Sequence, residues 1–157
     1  MEARADLPQI KQPFWQLLQA AWQHQPRHFS PLPGVVNWLQ AVEKAQHVHA
    51  GIATGGWGHS ARLKLKLSGL DRFKLPLASS DDAVARTAIM QVAAQKITGQ
   101  PPADDAVYTY VGDGVWDFDA SHDLGWEFIG IAHGENAARL KQAGATHVSA
   151  DFSQPDI

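Results

Sequence analysis

An α/β fold, a mostly parallel sheet covered by helices on both faces, is what this sequence predicts, and two observations predict it. Short apolar and β-branched runs recur at 48–54, 75–79, 106–111, 128–132 and 147–150. Between successive runs lie stretches with helical periodicity, long enough for right-handed crossovers between parallel strands. With 157 residues the chain is one domain, or one domain with an appendage, and can bury a sizeable core. The expectation is a three-layer arrangement of sheet and helices.

Composition narrows the function classes. An apolar content of 45% and a charged content of 18% belong to a globular chain. The net charge of −3 argues against an electrostatic nucleic-acid binder, which carries a basic face. There is no cysteine, so disulfides and thiolate metal sites are excluded. No apolar run reaches the roughly 20 residues that span a bilayer, and residues 1–9 lack the basic and apolar regions of a signal peptide. The expected location is cytoplasmic. None of the eight histidines stands in a His-x-x-x-His pair.

In chain order, Ile10 to His24 reads as a helix whose wide apolar stripe (Ile10, Phe14, Leu17, Leu18, Ala21 and Trp22, broadened by Trp15) requires a packing partner. Three prolines in 25–33 end it and mark a linker. Pro33 and Gly34 introduce a second helix to about Ala45. The strand at Val48–Thr54 ends in Gly55 and Gly56, and a helix over 60–70 follows it. After the strand at Leu75–Ser79, a helix over 83–97 is expected to carry Asp81 and Asp82 at its start, favourable for the helix dipole. The strand at Ala106–Val111 leads through Gly112, Asp113 and Gly114 to a helix opened by Asp117. A strand at 128–132, a helix at 136–143 ended by Gly144 and a strand at 147–150 complete the alternation.

Four groups at predicted strand ends carry chemistry. Asp113 and Asp117 stand four residues apart where a strand passes into a helix, the edge of an α/β sheet where ligands bind. Two carboxylates there suit a hard cation such as Mg²⁺; a Gly-Asp-Gly turn followed by an N-capping Asp117 accounts for the same residues without a metal. Thr54, Gly55 and Gly56 offer a hydroxyl and backbone N–H groups to an anion, or form an ordinary βα turn. Arg86, near a helix start, either neutralises a phosphate or pairs with Asp82 one turn earlier. His133 reads as a loop histidine, and His47 and His49 as solvated.

Taken together, Thr54-Gly-Gly-Trp at one strand end, Arg86 opening a later helix, and Gly-Asp113-Gly-Val-Trp-Asp117 at a third position resemble the haloacid-dehalogenase-like (HAD) phosphohydrolases. The resemblance spans about 31–155. It implies a Rossmann-like core over 31–157 and, in 1–30, a remnant of a helical cap. It also implies Mg²⁺-dependent hydrolysis of the phosphate monoester of a small phosphorylated metabolite. Under it Thr54 and the N–H groups of Gly55 and Gly56 would meet phosphate, Arg86 would link phosphate and nucleophile, and Asp113 and Asp117 would hold magnesium.

One departure matters. The family opens with a strand ending in Asp-x-Asp-x-Thr, and nothing before Thr54 has that form: Asp6 follows a polar lead, and Asp117-Phe-Asp119 is preceded by a glycine turn. The expectation is therefore a phosphatase-like chain inactive by itself, either part of a longer hydrolase or a non-catalytic phosphate- or Mg²⁺-binding relative. In that case the strands ending at Thr54 and Gly112 pair directly, leave a slot, or receive a strand from another chain. Exposed strand edges and the N-terminal apolar stripe would also favour self-association.

Overall fold

The computed structural model describes residues 7–153. The expectations placed on Asp6 and on the segment after Ser153 lie outside the described residues. The fold is α/β. Its elements are α1 (Leu7–His24), α2 (Val35–Lys44), β1 (Ile52–Ala53), α3 (Gly58–Leu67), β2 (Leu77–Ala78), α4 (Arg86–Thr98), β3 (Thr109–Gly112), α5 (Val115–Asp123), β4 (Glu127–Ile131), α6 (Gly134–Ala143) and β5 (Val148–Ser149). No helix among the described residues is long and apolar enough to cross a membrane.

Every strand pairing is parallel, but the strands form two sheets, β1-β2 and β3-β4-β5. Register runs Ile52 with Leu77, Thr109 with Glu127 through Gly112 with Gly130, and Gly130 with Val148. The chain thus steps outward from β1 to β2, crosses back through α4, and steps outward the other way through β4 and β5. The Tyr110 hydroxyl donates to the Ala53 carbonyl at 3.1 Å, which places β3 on the open side of β1. This reversal between β1 and β3 is a topological switch point, whose carboxyl side is where open α/β sheets take ligands.

Packing follows the two sheets. Ala78, Ile89 and Ala93 join α4 to the β1-β2 pair, with Ala53 against them. Leu140, wholly buried, anchors α6 beneath β4 and β5 with Ala132, Ala145, Phe118 and Phe128 around it. A third cluster, Val35, Leu39 and Phe73, holds α2, with the rings of Trp38 and Phe152 in tilted contact at its margin. Gly34 sits at φ +79, and its missing side chain lets the Phe152 backbone approach, so α2 is fastened to the end of the described chain. Gly144, at φ +110, closes α6 as its position in the sequence predicts.

Three expectations are corrected. The strand expected over 48–54 is confined to Ile52–Ala53. Val48 is half exposed and has no strand beside it, so its β-branched composition does not make it part of a sheet. The stripe expected to bury α1 is largely open, with Leu17 67% and Ile10 55% exposed. The helix docks instead through Lys11, which bridges to Asp81 at 2.6 Å, and Trp15, which donates to Ser60 Oγ at 3.0 Å and lies tilted against the His59 ring. Finally, α4 begins at Arg86, and no acid lies in its first turn. Asp81 and Asp82 belong to the preceding turn: Asp82 accepts from the Ser79 N–H at 2.8 Å and from Lys96 at 2.6 Å, and Asp81 from the Gly58 N–H at 2.9 Å.

Candidate functional site

A cavity of about 740 Å³ opens at the carboxyl ends of β1 and β3. Thr54, Gly55, Gly56, Arg86, Asp113 and Asp117 all line it. Their convergence follows from topology: Thr54 follows β1, Arg86 begins α4 after the crossover from β2, and Asp113 and Asp117 flank the turn from β3 into α5.

Asp117 is the most constrained of these groups. Its Oδ1 accepts from Arg86 Nη1 at 2.7 Å, and its side chain is only 5% exposed. Its Oδ2 accepts from the backbone N–H groups of Asp113 and Gly114, each at 3.2 Å. Asp117 is therefore not the N-cap of α5: Gly114 is, and Asp117 sits three residues in, reaching back to it. Gly112 makes room for this, since a Cβ there would stand 2.6 Å from Asp117 Cβ. Burial pushes the Asp117 carboxyl above its ordinary range, against the opposing pull of Arg86 and of the Gly114 and Asp113 N–H groups. Asp113 is exposed on the rim.

The loop after β1 is less committed. Thr54 Oγ1 accepts from the Gly56 N–H at 3.1 Å, which leaves the threonine O–H free to donate. The Gly56 N–H is thereby used within the turn. The Arg86 guanidinium lies over Gly55, where a Cβ would come within 3.1 Å of Nη2. Arg86 does not pair with Asp82, the partner its helical spacing suggests; Lys96 takes Asp82 instead. The reason is tertiary: α4 packs against α5, and that brings Arg86 to Asp117.

His133 also lines the cavity, from the position preceding α6. His47 and His49 are exposed and away from it. Asp119 is exposed on α5 and does not line the cavity. Tyr110, which sequence reasoning passed over as strand filler, belongs to the site. It is half-buried, spans the gap to Ala53, and has its phenol pushed above the ordinary value by burial first and the Asp117 charge second. A tyrosine hydroxyl inside an otherwise apolar strand was the available signal, because a buried O–H needs a partner.

The donor set can be tested against a magnesium ion. Two carboxylates with room for water match the ion's preference by chemistry. As arranged, however, both Asp117 oxygens are engaged, and no group of three histidine, cysteine, aspartate or glutamate side chains converges among the described residues. A cation here would meet Asp113 first and would have to take Asp117 Oδ1 from Arg86.

Comparison of the sequence with known protein families and with curated proteins returns no match.

Proposed function

We propose that this cavity binds the phosphate group of a small phosphorylated metabolite, in the manner of the HAD phosphohydrolases, with Mg²⁺ as its cofactor. The observation that carries the reading is the gathering of Thr54, Gly55, Arg86, Asp113 and Asp117 around one cavity at the switch point. The Thr54 hydroxyl would donate to a phosphate oxygen, and Arg86 would supply the fixed cation. Phosphate and magnesium are then coupled. An anion that drew Arg86 toward itself would free Asp117 Oδ1, and Asp117 and Asp113 are the residues that would then hold the metal. Bound magnesium would neutralise charge on the phosphate.

Among the described residues the acids that line the cavity are Asp113 and Asp117, and both are assigned to the metal. Covalent phosphoryl transfer needs a further positioned carboxylate. With the described residues alone the cavity would bind without turning over, and a purely binding role is the second reading, favoured by the existing Arg86–Asp117 bridge.

Thermal melting of the chain with phosphate, with Mg²⁺ and with both tests this. A ligand at about a hundred times its Kd stabilises by about 2.7 kcal/mol. The expected result is a shift with both ligands that exceeds the sum of the separate shifts and is lost in Asp113→Asn. An absence of any shift would sink the phosphate reading. Rapid Mg²⁺-dependent hydrolysis of p-nitrophenyl phosphate would instead show that a nucleophile is present and that the chain is a working enzyme.

A further inference from the structure

Trp116 stands between the two acids of the site, and it lines the same cavity. It is 61% exposed, the most open tryptophan among the described residues. A ring of this size usually places its area in a core or an interface. Gly114 shows that the exposed position is built into the turn. Its backbone, at φ −126 and ψ 157, is ordinary extended chain that any residue adopts, so conformation does not call for glycine. Space does. A Cβ at 114 would lie 2.2 Å from Trp116 Cε2 and 2.3 Å from Cζ2. The indole is therefore laid against the Gly114 backbone, and any side chain there would push it away.

A phosphate held by Thr54 and Arg86 leaves the group on its ester oxygen still to be placed. Small-molecule sites cover most of a ligand with apolar and aromatic side chains, and a few polar groups fix its orientation. In this cavity the polar end is Thr54, Arg86, Asp113 and Asp117. The large exposed apolar side chains that line it are Leu32 and Trp116. Of the two, only Trp116 belongs to the turn that carries the acids. An indole face attracts a second aromatic ring in offset or edge-on contact, with centroids about 4.5–7 Å apart. A saturated group of the same size gains burial there but not that directional attraction.

From these features, and resting on the phosphate reading above, we infer that Trp116 selects the organic part of the ligand by stacking on an aromatic ring close to the phosphate ester oxygen. The ligand class is then an aryl or arylmethyl phosphate monoester, or a larger phosphomonoester with such a ring beside its phosphate. One turn, from β3 into α5, thus supplies both Asp113 and the surface that reads the ring.

Calorimetric titration of the 157-residue chain in Mg²⁺ tests it. The probes are phenyl and benzyl phosphate, set against cyclohexyl and cyclohexylmethyl phosphate. Each pair matches in charge and closely in size and differs in aromaticity. The better aryl ester should bind about fivefold more tightly than its saturated counterpart. That preference should vanish in Trp116→Ala and return in large part in Trp116→Phe. The comparison in the parent chain needs no variant, so it stands even if Trp116→Ala folds poorly. Equal affinities within both pairs would overturn the inference, as would a ring preference that survives in a folded Trp116→Ala chain. Inorganic phosphate, titrated alongside, separates the two readings. If neither it nor any ester binds, the phosphate reading fails and takes this inference with it. If phosphate binds and the esters are not told apart, only the role of Trp116 falls.

Discussion

The two sides of the gap began with similar strand signals and ended very differently. On one side β3 pairs with β4 over four residues and β4 continues to β5. On the other, β1 and β2 share two residue pairs, although the apolar run at 48–54 is longer than the one that became β4. The contrast shows that strand composition becomes strand structure only where a neighbour accepts its hydrogen bonds. β4 has a partner on each edge, whereas β1 has one, and residues 48–51 lie beyond the short pair it makes with β2.

Three substitutions probe that asymmetry. The largest effect is expected from Leu140→Ala, which empties the wholly buried anchor of the three-stranded side; such changes cost about 3 kcal/mol. Denaturant unfolding followed by hydrogen exchange reads it. Loss of protection confined to β3, β4 and β5 would show two units, while equal loss in β1 and β2 would show that the halves fold together.

Arg86→Ala comes next, because the Arg86–Asp117 bridge ties α4 on one side to α5 on the other. Removing the cation strands a buried carboxylate, and allowing for the two N–H groups that remain, about 2 kcal/mol should be lost. Adding Asp117→Asn should recover part of it, since the stranded charge is then gone. A single variant as stable as the parent would mean that the bridge contributes nothing to joining the halves. The smallest effect belongs to Tyr110→Phe, which deletes the hydroxyl that reaches Ala53 across the gap. About 1 kcal/mol is expected from one hydrogen bond, together with faster exchange at Ala53. An unchanged exchange rate there would mean the hydroxyl does not hold the two edges in position.

Much of the site was legible in the chain itself. Glycine pairs at predicted strand ends marked Thr54 and Asp113, and the strand–helix alternation implied that those ends share one edge. What could not be read was the partner of each charged side chain. Arg86 is one helical turn from Asp82 in sequence, yet it bonds Asp117, thirty-one residues on. The apolar stripe of α1 suggested its buried face, but its docking is fixed by Lys11, Trp15 and the Phe14 edge against Trp57. Periodicity records which residues lie on the same face of a helix, and nothing in it names the surface that face will meet.

The sequence by itself determined the α/β class, the order of helices and strands, and the places where glycine lets the backbone turn, because these follow from local periodicity and local sterics. Only the tertiary structure decided that β1 and β3 face each other unpaired, that Tyr110 reaches across to Ala53, and that Asp117 is held by Arg86. Those outcomes depend on which distant segments come together, and they are settled when backbone groups and charges compete for a limited set of partners.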